Sequence, residues 1–169
     1  MGIAHALRGL AGGRWIAALA SLSVLSGLNN GFALKVGSFV QQRVNSAYSP
    51  SSPLYLHPAE YSFLGSGLLL GVVASCGLSG LIIRAVGTRN AALLGELLAF
   101  GAAFFGFFAS ASWMLHVWRI GQGAGVGLCI TAKPLFIAES SPPEWRGRLL
   151  VALAFCIVLG QAVAELIDW

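Results

Sequence analysis

Charge is scarce in this sequence. Of 169 residues only ten are Lys or Arg and six are Asp or Glu, so the charged fraction is 9% against 57% hydrophobic residues. Soluble domains carry roughly 25% charged residues, and so little polar surface excludes a water-soluble fold. Histidine and cysteine are equally sparse, three of each. His5, His57 and His116 lie too far apart in sequence to suggest a ligand or catalytic group, and no acids stand paired at catalytic spacing beside a nucleophile and base. That absence argues against an enzyme and implies no cofactor. Cys76, Cys129 and Cys156 each fall inside an apolar run, which leaves neither a disulfide framework nor a zinc spacing. The basic residues occur singly or in pairs at the edges of apolar runs, and nucleic-acid binding needs them gathered into a patch.

What the chain does have is long apolar runs. A helix needs about 20 mostly apolar residues to cross a hydrocarbon core about 30 Å thick. Five such stretches are read near 15–39, 61–83, 90–111, 113–138 and 149–167. Residues 41–60 form the main polar connection, turn-rich through Pro50, Pro53 and Pro58 and without an N-x-[ST] acceptor. Lys and Arg collect in short cytoplasmic loops. An N-terminus in the cytoplasm puts Arg8, Arg14, Arg84, Arg89, Arg146 and Arg148 inside and only Lys35 and Arg43 outside, so that orientation is expected. Arg8 and Arg14 ahead of an apolar run to Leu28 also outline a signal peptide, but no small-x-small cleavage site follows and the apolar character resumes after Asn29 and Asn30.

The fourth span reads WRIGQGAGVGLCITAKPLFIAE, with glycine at 121, 123, 125 and 127. On a helix these residues form two interleaved small-xxx-small pairs, Gly121 with Gly125 and Gly123 with Gly127, which allow close backbone approach. The spacing does not match a G-x-G-x-x-G nucleotide loop, and no strand precedes it.

Charge inside a membrane is costly and calls for a partner. At 1.5 Å of rise per residue, Arg119 lies roughly 9 Å below the outer end of span four, and Asn29 and Asn30 lie roughly 21 Å up from Trp15, a comparable depth. An amide facing the buried Arg119 is therefore expected. Glu96 lies about 10 Å inside span three from Arg89, and Lys133 about 9 Å inside span four from Glu139. These depths predict a Glu96–Lys133 ion pair with a structural role.

A quarter of the formal charge stands in PLFIAESSPPEWRGRLL, where Glu139, Glu144, Arg146 and Arg148 flank a double proline. With the span before it, this stretch resembles the sugar porter family of the major facilitator superfamily, whose pattern is P-x-[YF]-[IV]-[AG]-E-x-[SA]-P-x-x-x-R-G. Pro134, Phe136, Ile137, Ala138, Glu139, Ser141, Pro142, Arg146 and Gly147 fill it. GLIIRAVGTRN is similar to the family loop G-x-L-x-D-R-x-G-R-R at Gly87 and Arg89, but Arg84, Ala85 and Thr88 depart from it. SGLNNGF is similar to F-G-Y-[DN]-T-G, with Asn29 at the Asp/Asn position.

The resemblance implies an all-α membrane protein comprising the first five transmembrane helices of a major facilitator superfamily fold. It implies a cytoplasmic gating cluster of Glu139, Arg146 and Arg89 beside Gly147, and substrate contacts from Gln161, Asn29, Asn30 and Arg119. Proton-coupled members carry Asp where Asn29 stands, and an amide exchanges no proton, so facilitated diffusion of a hexose or polyol by alternating access is expected. Ala154 occupies a family Gln position, which weakens hexose selection. Such transporters have twelve spans in two halves, so the second half is expected as a missing partner. Sugar and membrane lipid are the other partners, and the plasma membrane is the expected address. The alternative is a truncated, non-transporting half-transporter acting as a sensor or an interfering partner.

Overall fold

The computed structural model describes residues 2–47, 52 and 56–168. They form five α-helices and, among the described residues, no strand: α1 (Gly2–Ala47), α2 (Pro58–Val86), α3 (Thr88–Phe107), α4 (Ser112–Ser140) and α5 (Pro143–Asp168). All five are long and apolar enough to cross a membrane. Much of the expected polar connection, including Pro50 and Pro53, lies outside the described residues.

Helix bounds differ from the sequence estimates where capping chemistry decides them. The apolar part of α1 runs over Arg14–Val44, 31 residues, roughly 46 Å of helix at 1.5 Å per residue. That exceeds the hydrocarbon thickness and is accommodated by tilt or by projection beyond it. Helix α5 begins at Pro143 rather than near 149, because proline suits the first helical turn and Glu144 there complements the helix dipole. Arg146 and Arg148 are therefore helical. At the start of α2 the Glu60 carboxylate accepts the His57 backbone N–H at 3.2 Å, satisfying one of the amides a helix start leaves open. Between α2 and α3 a single residue suffices: Gly87, at φ +84°, donates its N–H to the Ile83 carbonyl and accepts from Ala91 N–H, each at 2.9 Å. A β-carbon is strained at that φ.

Helix α4 packs along both α2 and α3, and α1 packs along α5. The glycine series of α4 divides between its two neighbours. A β-carbon on Gly123 or Gly127 would overlap Leu68 or Ser75 of α2, while one on Gly125 would overlap Ala99 of α3, and Gly121 faces Ala102 of α3. Alternate spacing thus serves two interfaces at once, about 200° apart per two residues on a helix of 3.6 residues per turn. The α1–α5 contact is equally close, since a β-carbon on Gly31 or Gly160 would meet the Ile157 or Leu28 carbonyl. The outward faces carry Leu69, Val73, Leu97, Phe100, Phe104, Phe155 and Val158, all exposed. Apolar faces of this kind suit contact with lipid.

Candidate functional site

Trp15 Nε1 donates to the Ser140 carbonyl at 3.1 Å, and Thr88 Oγ1 donates to Glu139 Oε2 at 2.6 Å. These bonds place the start of the apolar part of α1, the α2–α3 turn and the end of α4 together at one arginine-rich end of the bundle. Just over two turns into α3 from that end stands Glu96. Lys133 Nζ pairs with its Oε1. The same carboxylate accepts Ser26 Oγ at 3.2 Å and Asn29 Nδ2 at 2.9 Å. One acid therefore joins α1, α3 and α4. Lys133 retains 8% of its side-chain exposure and Glu96 31%, and both line a cavity of about 260 Å³ together with Leu22, Ser26, Arg89 and Phe136.

Arg119 occupies a different pocket. It is 3% exposed and meets no carboxylate among the described residues. Its Nη1 donates to Gln122 Oε1 at 2.9 Å and to the Ala33 carbonyl at 3.3 Å. The guanidinium carbon lies 5.5 Å from the centre of the Trp118 ring, within cation–π range. Gly37 makes room for it, since a β-carbon there would overlap the guanidinium.

The expected pairing of Arg119 with Asn29 or Asn30 is therefore corrected. Asn29 bonds Glu96, and Asn30, 2% exposed, has no partner for its Oδ1 among the described residues. Axial rise alone misplaces these groups because each side chain leans toward the N-terminus of its own helix. Arg119 leans toward the start of α4 and reaches Ala33 and Gly37, while Asn29 leans back along α1 toward the arginine-rich end and meets Glu96. The assignment of Glu96 and Asn29 to different depths fails for the same reason.

The expected cluster at the arginine-rich end is also not joined by ion pairs. Glu139 accepts Thr88, whereas Arg89 and Arg146 make no ion pair with another described residue. Glu139, Arg89 and Arg146 are all exposed, where water competes with a pair and holding two long side chains costs entropy. Gly147 is exposed with open space where a β-carbon would stand. Gln161 is half-buried on α5, its backbone N against Gly31 of α1. Asn30 lines a second cavity of about 260 Å³ with Lys133, Ala154 and Ile157.

Three polar contacts escape the sequence reading. Ser26 and Gln122 each stand three residues from a residue already singled out, Asn29 and Arg119 respectively, a spacing that puts them on the same helix face. The Lys35–Glu165 ion pair joining α1 to α5 needed knowledge that those two helices pack together.

Solved structures identify the class of this architecture. It superimposes with a TM-score of 0.76 on the major facilitator superfamily proton:xylose symporter XylE bound to 6-bromo-6-deoxy-D-glucose, at 24% identity over 92% of this chain and 37% of that one. Against the inward-open XylE from E. coli the TM-score is 0.71, at 25% identity over 88% of this chain and 38% of that one. The fold is that of the major facilitator superfamily.

The family described as "Sugar (and other) transporter" matches residues 15–169, and the chain belongs to it. Sugar transport protein 1 of Arabidopsis thaliana is 34% identical over 104 residues, 62% of this chain and 20% of its own length. Sugar transporter ERD6-like 16 of the same plant is 30% identical over 135 residues, 80% of this chain and 28% of its own. Myo-inositol transporter 1 of Candida albicans is 29% identical over 114 residues, 68% of this chain and 21% of its own. The chain thus spans roughly a fifth to just over a quarter of the length of these relatives. With five apolar helices it is a multi-pass integral membrane protein.

Proposed function

We propose that this chain supplies the first five helices of a longer sugar transporter that moves a hexose or related polyol by facilitated diffusion. Alternating access would carry the sugar between two halves, with this chain walling one side of the path through Asn29, Asn30, Arg119 and Gln161. The arginine-rich end would face the cytoplasm of a plasma-membrane protein. There Glu139, Arg89 and Arg146 would close a gate with the second half, the two arginines having no ion-pair partner of their own among the described residues. The sugar class rests on the family match and on relatives named for sugars and inositol.

The observation that carries the uniport reading is the amide at Asn29, which donates Nδ2 to Glu96 and has no titratable proton to exchange. The test is uptake of labelled glucose, xylose and myo-inositol by the full-length transcript product in vesicles, with and without a pH gradient. Saturable uptake that is indifferent to the gradient is expected. Gradient-driven uptake overturns facilitated diffusion, and a product ending at Trp169 with no uptake of any sugar favours the non-transporting half-transporter.

A further inference from the structure

Two adjacent amides of α1 are served unequally. Asn29 donates to Glu96, whereas Asn30 is buried with no hydrogen-bond partner for its Oδ1 among the described residues. An orphaned buried acceptor costs stability unless a donor comes to it. Asn30 lines the cavity between α1, α4 and α5, and a second acceptor belongs to the same space. Pro134, inside α4, has no N–H to offer the Ile130 carbonyl one turn before it, and both residues line this cavity. Cys129, also in the lining, turns its thiol to the Ala92 carbonyl. Lys133 is the one charged residue in the lining and is already paired with Glu96.

We propose that this cavity is a hydroxyl subsite of the sugar path, in which Asn30 Oδ1 and the Ile130 carbonyl accept O–H groups of the transported polyol. The inference deepens the transporter reading and rests on it for the identity of the donor. Two acceptors disfavour an anion, and the nearby ammonium disfavours a cation, so a neutral O–H suits the site. Water is the poorer occupant. The cavity measures about 260 Å³ and its remaining walls, Leu150, Leu153, Ala154 and Ile157, are apolar. A water takes roughly 30 Å³ in the liquid and needs two to four polar partners when buried, so waters filling this space would mostly lack them. A polyol presents C–H groups beside its hydroxyls and satisfies both kinds of wall. Ile130 and Ala154 are exposed, which leaves the cavity an entrance between α4 and α5. Asn30 also stands near the middle of the Arg14–Val44 stretch, the depth at which secondary transporters bind substrate. Asn30 is thus a specificity-determining residue, set apart from Asn29 by its unclaimed acceptor.

The experiment is calorimetric titration of the purified full-length protein with glucose, xylose and myo-inositol, then with the mono-deoxy analogues of whichever binds most tightly. Asn30→Leu keeps the approximate shape of the amide and removes its acceptor. Without sugar, its unfolding midpoint should match or exceed the native one, because an unsatisfied acceptor has gone. Its affinity for the parent sugar should fall about fivefold, the worth of one neutral hydrogen bond. One deoxy analogue should bind the native protein about fivefold more weakly than the parent sugar does, yet bind Asn30→Leu no more weakly than the parent does. That non-additivity assigns the hydroxyl to Asn30. Losses that multiply for every analogue, in a protein that still binds the parent sugar, overturn the subsite and leave the transporter reading standing; they are the result expected of a cavity holding only water. A sugar-free midpoint well below the native one shows that Asn30 has a structural partner and also overturns it. If the native protein binds none of the three sugars, the sugar reading fails and the subsite with it. Ala154→Leu is an independent check, since its side chain enters the cavity from an exposed position and should weaken the parent sugar by about tenfold, as overpacking does. Unchanged affinity in that variant overturns the proposal.

Discussion

Two cations lie buried in α4, Arg119 and Lys133, and the bundle accommodates them by opposite means. Arg119 has no acid beside it. Its charge is spread over a planar guanidinium that stacks on Trp118, reaches a carbonyl and an amide oxygen, and fits against the bare backbone of Gly37. Lys133 concentrates its charge on one nitrogen and is held by a carboxylate that two further helical residues also address. A delocalised cation is weakly hydrated and can be satisfied by neutral dipoles in a close-fitting site, whereas an ammonium requires a counter-ion when water is withdrawn. Arg119 thus depends on shape and Lys133 on charge.

The largest expected effect breaks the shape-dependent site. Gly37→Leu puts a side chain where the guanidinium stands, and neither the α1 backbone nor the planar group yields cheaply. The midpoint of thermal unfolding in detergent should fall with a loss of about 3 kcal/mol, the upper part of the range for overpacking. Gly147 provides the contrast, since it is helical and nothing lies where its β-carbon would stand. Gly147→Ala should leave stability unchanged or raise it by up to about 1 kcal/mol. Equal losses in the two variants would show that Gly37 is not shaped for Arg119.

The charge-dependent site should break less severely and should be repairable. Removing one partner of a fully buried pair costs about 3–5 kcal/mol. Glu96 keeps 31% of its side-chain exposure, so Lys133→Met is expected to cost about 2 kcal/mol, reduced by solvent screening. Adding Glu96→Gln removes the uncompensated acid and should restore about 1 kcal/mol, read from a double-mutant cycle of thermal unfolding. An Arg119→Met variant has no matching acid to relieve, so the same Glu96→Gln change should restore nothing there and should instead cost further stability by leaving Lys133 without its counter-ion. Rescue of both variants, or of neither, would erase the distinction between the sites.

This distinction was only partly legible in the sequence. Five apolar runs announce the spans because hydrocarbon thickness sets their length, and the alternate glycines of α4 announce close packing because small residues let helix backbones approach. The Glu96 and Lys133 depths matched because both were counted from the same end of adjacent helices. Asn29 and Arg119 were miscounted for a physical reason: rise per residue locates an α-carbon, but a long side chain reaches a turn or more away in a direction set by chain polarity. Helix pairing is not in the local pattern either. Nothing in residues 15–39 states that α1 lies against α5, so neither the Gly31–Ile157 contact nor the Lys35–Glu165 pair could be read from it. Helix α5 starts earlier than its apolar run because Pro143 and Glu144 favour a helix start even where the side chains are polar.

The smallest effect belongs to the Lys35–Glu165 pair, which tests whether charge pairing alone accounts for Lys133's importance. Lys35 Nζ contacts Glu165 Oε1, joining α1 to α5, yet the two side chains are 41% and 63% exposed. An exposed pair gains little Coulomb energy and spends rotamer entropy on both partners, so its worth is about 0.5 kcal/mol and falls with salt. Lys35→Met should therefore shift thermal unfolding by no more than this, and the shift should vanish at about 1 M salt. The Lys133→Met loss should survive the same salt, because its pair is withdrawn from the ions. A Lys35→Met loss as large as that of Lys133→Met would mean that burial does not set the strength of these pairs, and that the α1–α5 contact depends on its ion pair rather than on the close approach of Gly31 and Gly160.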